Sequence, residues 1–202
     1  MASKGYDQAG VKELLLQALE TERGGIKIYT AAIQAAVNDD LRKEWQEYLE
    51  ETQRHEQVLT RVFSELGMDT EEKSPGREVC AHLGASLVAA IEMARSNADP
   101  AAAELVACEC VVLAETKDHS NWELIGKVAE SAQDKVAKVL KMAYEAVEED
   151  EDHHLYHTKG WCRELWIQSL GMPAVLPPPE EVKKVETAIG AARAEQARED
   201  ML

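Results

Sequence analysis

Several things are scarce in this chain of 202 residues, and each scarcity excludes something. Bases number 22 against 38 acids, a formal net charge of -16. A surface of that sign repels phosphate backbones and anionic lipid, so neither nucleic acid nor a membrane is expected as a partner. No run of eighteen apolar residues occurs, so no spanning segment is expected, and residues 1–8 lack the apolar stretch of a secretory leader. Phenylalanine occurs once and the six prolines are clustered. The four cysteines, Cys80, Cys108, Cys110 and Cys162, have no zinc-knuckle spacing and read as reduced thiols of a cytoplasmic protein. There is no glycine-rich phosphate loop, no nucleophile elbow and no strand pattern above background.

What remains is helix-forming. Alanine, glutamate and leucine dominate, and 45% of the residues are hydrophobic, enough for one domain with a core. Apolar residues recur in steps of three and four over residues 11–37, with Leu15, Leu19, Ile26, Tyr29 and Ile33 on one stripe. A tight turn at Asn38–Asp40 leads to a second helix over 40–66, with Leu41, Trp45, Tyr48, Thr52, His55, Leu59 and Val62 facing inward and Gly67 as its stop. A polar stretch and Ser74-Pro75-Gly76 precede a shorter helix over 77–95. A third long helix is expected over 101–130, with Leu105, Val106, Glu109, Val112 and Leu113 as its apolar face. Ser131 and Asp134 look like the N-terminal box of a fourth, expected to run unbroken to about residue 170. A proline strap and a polar C-terminal helix over 180–202 follow. The expected fold is all-α: two antiparallel hairpins joined by a helical crossover, a four-helix bundle over residues 1–173, with residues 174–202 as an extension of the same domain.

The chemistry lies in acids set inside apolar stripes. Glu22, Glu109, the Asp150/Glu151 pair and Glu51 beside His55 all interrupt a hydrophobic face. A buried unpaired carboxylate is costly, and several at one level suggest a shared cation. Glu22 and His55 stand symmetrically about the first hairpin turn, and Glu109 and His154 almost so about Ser131. Glu151 and His154 form a Glu-x-x-His pair on one helical face; Glu51 and His55 are one residue wider, with Thr52 where a strict motif puts the acid. Glu115, in Glu115-Thr-Lys-Asp-His119, rivals Glu109, which is preferred for its apolar neighbours. Asp150 likewise rivals Glu151. Carboxylates with imidazole suit iron or manganese.

In these residues the chain resembles the ferritin-like superfamily of carboxylate-bridged dimetal proteins, above all rubrerythrin-like domains and small bacterial ferritin-like stress proteins, over about residues 11–171. The resemblance implies two iron or manganese ions held by Glu22, Glu51, His55, Glu109, Glu151 and His154. It implies an oxidoreductase acting on dioxygen or peroxide and a homodimer. Tyr29, Tyr48 and His157 would support the ligands. The other readings are an iron-binding store without turnover and a metal-free acidic scaffold.

Overall fold

The computed structural model describes residues 5–202, so the first four residues of the polar N-terminal stretch lie outside it. The described residues form eight α-helices and a closing 3-10 turn, with no strand among them. α1 spans Gln8–Ala35, α2 Asp39–Leu66, α3 Pro75–Asn97, α4 Pro100–Ser131, α5 Lys135–Tyr144, α6 Glu148–Ser169, α7 Pro179–Val182 and α8 Ala188–Gln196. No helix among them is long and apolar enough to cross a membrane.

Short polar side chains set the starts. Asp7, Asn38, Ser74, Asp99 and Asp134 each accept a backbone N–H of the first turn they precede, satisfying donors that have no partner within the helix. Pro75 and Pro100 open α3 and α4, where a missing N–H costs nothing. α2 ends at Gly67, whose φ of 68° is the left-handed geometry that only glycine adopts freely. Met68 N donates to Phe63 O across the end.

The short turn at 36–38 folds α1 back on α2. α4 turns at 132–134 into α5 and α6, and α3 bridges the two hairpins, lying outside against α1 and α4. Gly24 and Gly84 let α1 and α3 approach closely: a Cβ on Gly84 would sit 3.4 Å from the Gly24 Cα. α1 packs on α2 and α4, α4 on α5 and α6, and α2 on α5 and α6, so these elements enclose one interior.

That interior is two apolar clusters. One gathers Leu41, Trp45, Ile28, Tyr29, Cys108 and Trp161. The other gathers Leu15, Leu19, Leu59, Phe63, Trp122 and Leu140. Burying each large aliphatic or aromatic side chain contributes roughly 1.5–3 kcal/mol. Along α1, Glu22 falls between Leu19 of one cluster and Ile28 of the other. The polar layer of the molecule thus sits between two dry halves.

Two expectations are corrected. The fourth long helix is not continuous: residues 145–147 form a turn that separates α5 from α6, and Asp134 rather than Ser131 caps α5. The C-terminal segment is not one helix either. After a strap at 170–178 it makes α7, a turn through 183–187, α8 and the 3-10 turn Ala197–Met201. Lys184 in that turn has a φ of 49°, which ends α7.

Candidate metal centre

Glu22 is fully buried on α1. Its Oε1 accepts the Trp122 indole N–H at 2.8 Å, and its Oε2 has no hydrogen-bond partner. Across from it on α2, His55 is also buried. Its Nε2 lies 3.1 Å from Asp150 Oδ2, so that nitrogen donates outward to the carboxylate. Its Nδ1 then faces inward, 3.0 Å from Glu151 Oε1 and 3.8 Å from Glu22 Oε1.

His154 on α6 repeats the arrangement. Its Nε2 donates to Glu51 Oε2 at 2.9 Å, and its Nδ1 faces Glu115 Oε2 at 3.6 Å and Glu151 Oε1 at 4.0 Å. The two imidazoles stack with centroids 5.6 Å apart, and Tyr48 packs on His154 at 4.2 Å. Glu151 is the meeting point. One ligand atom each from His55, Glu151 and His154 lie within 4.8 Å of one another, and so do atoms of Glu22, Asp118 and Glu151.

Donors are few for these acids: Trp122 serves one oxygen of Glu22, and the inward nitrogens of the two histidines face Glu151 and Glu115. Glu22 Oε2, Glu115 Oε2, Asp118 Oδ1, Glu151 Oε2, His55 Nδ1 and His154 Nδ1 are all sealed from solvent and without a hydrogen-bond partner. Among the described residues no lysine or arginine pairs with Glu22, Glu115, Asp118 or Glu151; Arg54 reaches only Glu51 and Asp150 at the rim. Native interiors leave only a few polar atoms so placed per hundred residues, and here six gather in one layer.

The protonation equilibria register the strain. Burial, with the charges of Asp118 and Glu151, drives the Glu22 carboxyl well above its usual range, and burial with Glu151 and Glu115 does the same to Asp118. Burial alone would lower His154, but Glu115 and Glu51 outweigh it and carry the imidazole to about 10. Without a cation the layer retains protons to offset its acids. The donor set of carboxylates and imidazoles suits a divalent first-row ion.

The structure brings five of the six expected ligands to this layer and leaves one out. Glu109 is half-buried on another face of α4, where its Oε1 accepts the Trp166 indole at 3.0 Å. Glu115 takes the inward place instead and is 3% exposed. Six residues along a helix turn a side chain through about 240° and advance it about 9 Å, so the two cannot serve one site. The apolar neighbours of Glu109 were a poor guide because α4 has several partners, α1, α3, α5 and α6. Leu113 is 61% exposed, while alanines and cysteines line much of the buried face. The symmetry about Ser131 misplaces the acid as well: Glu115 and Glu151 each stand eighteen residues from Gln133, the middle of the true turn.

Asp118 escaped the sequence reading. The signal was the spacing: Glu115 and Asp118 lie three apart on one face, as Glu151 and His154 do. Thr52 faces inward, as its position implied, but its hydroxyl donates to Tyr48 O at 2.8 Å. An apolar cavity of about 270 Å3 between α1, α3 and α4, lined by Ile28, Leu83, Leu87 and Leu113, contains none of the acids of the layer. Comparison of the chain with known protein families, with curated proteins and with solved structures finds no match in any of the three.

Proposed function

We propose that this chain is a dimetal carboxylate protein of ferritin-like architecture, holding two iron or manganese ions in the layer between its hairpins and acting on dioxygen or peroxide as an oxidoreductase. The observation that carries the reading is the set of six sealed, unpartnered ligand atoms that converge from α1, α2, α4 and α6, with Glu151 common to both groups. The ligands are then Glu22, His55, Glu115, Asp118, Glu151 and His154. Glu51 and Asp150 take a different part from the one the sequence suggested for Glu51: each accepts the outer N–H of a histidine and so fixes its tautomer and aim.

When bound, such a metal pair supplies redox electrons and Lewis acidity toward an oxygen substrate. The chain's own residues do the rest. Trp122 holds one oxygen of Glu22 and leaves the other free to face the layer. Tyr48 and Trp122 flank the imidazoles, while the two apolar clusters keep bulk water from the acids. Tyr29 packs edge-on to His154 at 6.1 Å. Its phenol is pushed well above its ordinary range, by burial first and the Glu115 charge second, and so keeps its proton.

Elemental analysis of protein expressed in iron- and manganese-supplemented medium tests this, with ferrous iron then added anaerobically and air admitted. Close to two ions per chain and a new near-ultraviolet absorption on air exposure are expected. Metal persistently well below one per chain, with no spectral change, would sink the proposal.

A further inference from the structure

One turn of α6 beyond His154, a separate set of side chains closes around a different point. His157 is 5% exposed, and its Nε2 lies 3.1 Å from the carbonyl oxygen of Val185, in the turn between α7 and α8. A carbonyl only accepts, so Nε2 carries a proton and Nδ1 is aimed the other way. There Nδ1 meets Tyr48 Oη at 3.2 Å and Glu181 Oε2 of α7 at 2.8 Å. Glu44 reaches the same point from α2, where its Oε1 takes the Tyr48 hydroxyl proton at 2.8 Å and its Oε2 the Trp161 indole at 2.6 Å.

One ligand-type atom each from Glu44, His157 and Glu181 lie within 4.8 Å of one another. Glu181 Oε2 is sealed from solvent, and only His157 Nδ1 faces it. Burial first and the neighbouring Glu181 carboxylate second push Glu44 up to about 8, while a hydrogen bond from His157 draws Glu181 below its usual range. The backbone carbonyl on the far nitrogen of His157 is the tether that metal-ligating histidines use, here supplied from outside the cluster. The strap that brings Glu181 is itself fixed, because Arg163 of α6 grips the adjacent Glu180 through both oxygens, at 2.6 and 2.9 Å.

We propose that Glu44, His157 and Glu181 form a second, mononuclear site for a first-row divalent cation, bound through His157 Nδ1 and one oxygen of each carboxylate. None of its three residues belongs to the central layer, and the Tyr48 ring stands between the two. Three protein ligands leave a further coordination position. The Glu181 side chain, 36% exposed, gives the ion a way in from solvent. The ion would join α2 and α6 to the C-terminal segment and add to the docking that Arg163 and His157 already provide.

Zinc alone is the probe. The full chain, stripped with chelator, is titrated calorimetrically with zinc, and bound metal is counted after equilibrium dialysis. Glu181→Gln is the informative variant, because its half-exposed position spares the core; Glu151→Gln serves as the variant of the central layer. Glu181→Gln is expected to lose one zinc equivalent, or to hold it on the order of tenfold or more weakly, while any remaining equivalents are unchanged. Glu151→Gln is expected to keep that one equivalent even if the central layer takes no zinc at all. Crystals grown with zinc should give an anomalous peak beside His157 Nδ1. Unchanged zinc stoichiometry and affinity in Glu181→Gln, or no peak at that point, would overturn the site and leave His157 and Glu181 as a plain ion pair.

Discussion

α6 buries two glutamates thirteen residues apart, in opposite circumstances. Glu164, near its end, accepts Arg198 Nε on both oxygens at 2.8 and 3.0 Å, Arg163 Nε at 3.0 Å and the backbone N–H of Val175 at 2.8 Å. Burial would raise its carboxyl, but Val175, Arg198 and Arg163 outweigh that and hold it below the usual range. Glu151, in the first turn, has an oxygen with no partner and faces further acids. Glu104 on α4 belongs with Glu164, for its Oε1 accepts the N–H groups of Val37 and Asn38 at the first hairpin turn. A buried acid is therefore not itself the mark of a ligand. In the central layer the mark is a buried acid with an oxygen left without a donor and no lysine or arginine paired with it.

The sharpest test of that contrast removes the acid shared by both central groups. Glu151→Gln is expected to lower central-layer iron or manganese affinity by at least about a hundredfold, on the order of 3 kcal/mol, while the circular dichroism of the helices persists. Full occupancy of the layer in this variant would break the comparison at its central term.

Glu164→Gln should do the reverse, disturbing the fold and sparing the metal. Loss of a buried carboxylate that anchors Arg198 and the strap should cost about 2–3 kcal/mol in urea unfolding, discounted from the fully buried case because the arginines are partly exposed. The sign with pH follows from the depressed folded value. The contribution is present above the unfolded glutamate value of about 4.5 and is lost as pH falls through the lower folded one, so wild type and variant should converge at acid pH. A gap that widens below pH 4.5 would contradict the clasp.

Smaller still, Asp118→Asn in metal-free protein should raise stability by about 1 kcal/mol, because an acid confined among acids is relieved. A comparable loss would mean that Asp118 has a donor after all. Glu109→Gln should change neither metal content nor stability by more than about 0.5 kcal/mol, as for a surface substitution; a metal deficit there would reinstate Glu109 as a ligand.

The same contrast explains what could be read in advance. The helical stripes, the turn at Asn38–Asp40 and the stop at Gly67 were legible because they are local, so the all-α architecture and the approximate boundaries of α2 followed from a few residues. Glu22, His55, Glu151 and His154 were legible as polar interruptions of apolar stripes. Whether such an interruption is answered was not legible, since Arg198 reaches Glu164 from 34 residues away. Glu115 was legible only as the rival of Glu109, and Asp118 was not legible as a ligand, because α4 has many neighbours. The group at Glu44, His157 and Glu181 was hidden because residues 180–202 read as one polar helix, which would have carried Glu181 past α6 without the turn that docks Val185 on His157.

The turn at residues 145–147 has a consequence for charge. It gives α6 an N-terminus of its own, begun at Val147 without any side-chain cap. The first-turn N–H groups and the positive end of the peptide macrodipole are therefore directed at Glu148, Glu149, Asp150 and Glu151. Each such placement is worth about 0.3–1 kcal/mol. In an uninterrupted helix the same acids would lie near mid-length, where aligned peptide dipoles offer no such field and like charges at i,i+3 and i,i+4 simply repel. The break in the helix thus lets a row of five consecutive acids, Glu148 to Asp152, sit beside a buried acidic layer.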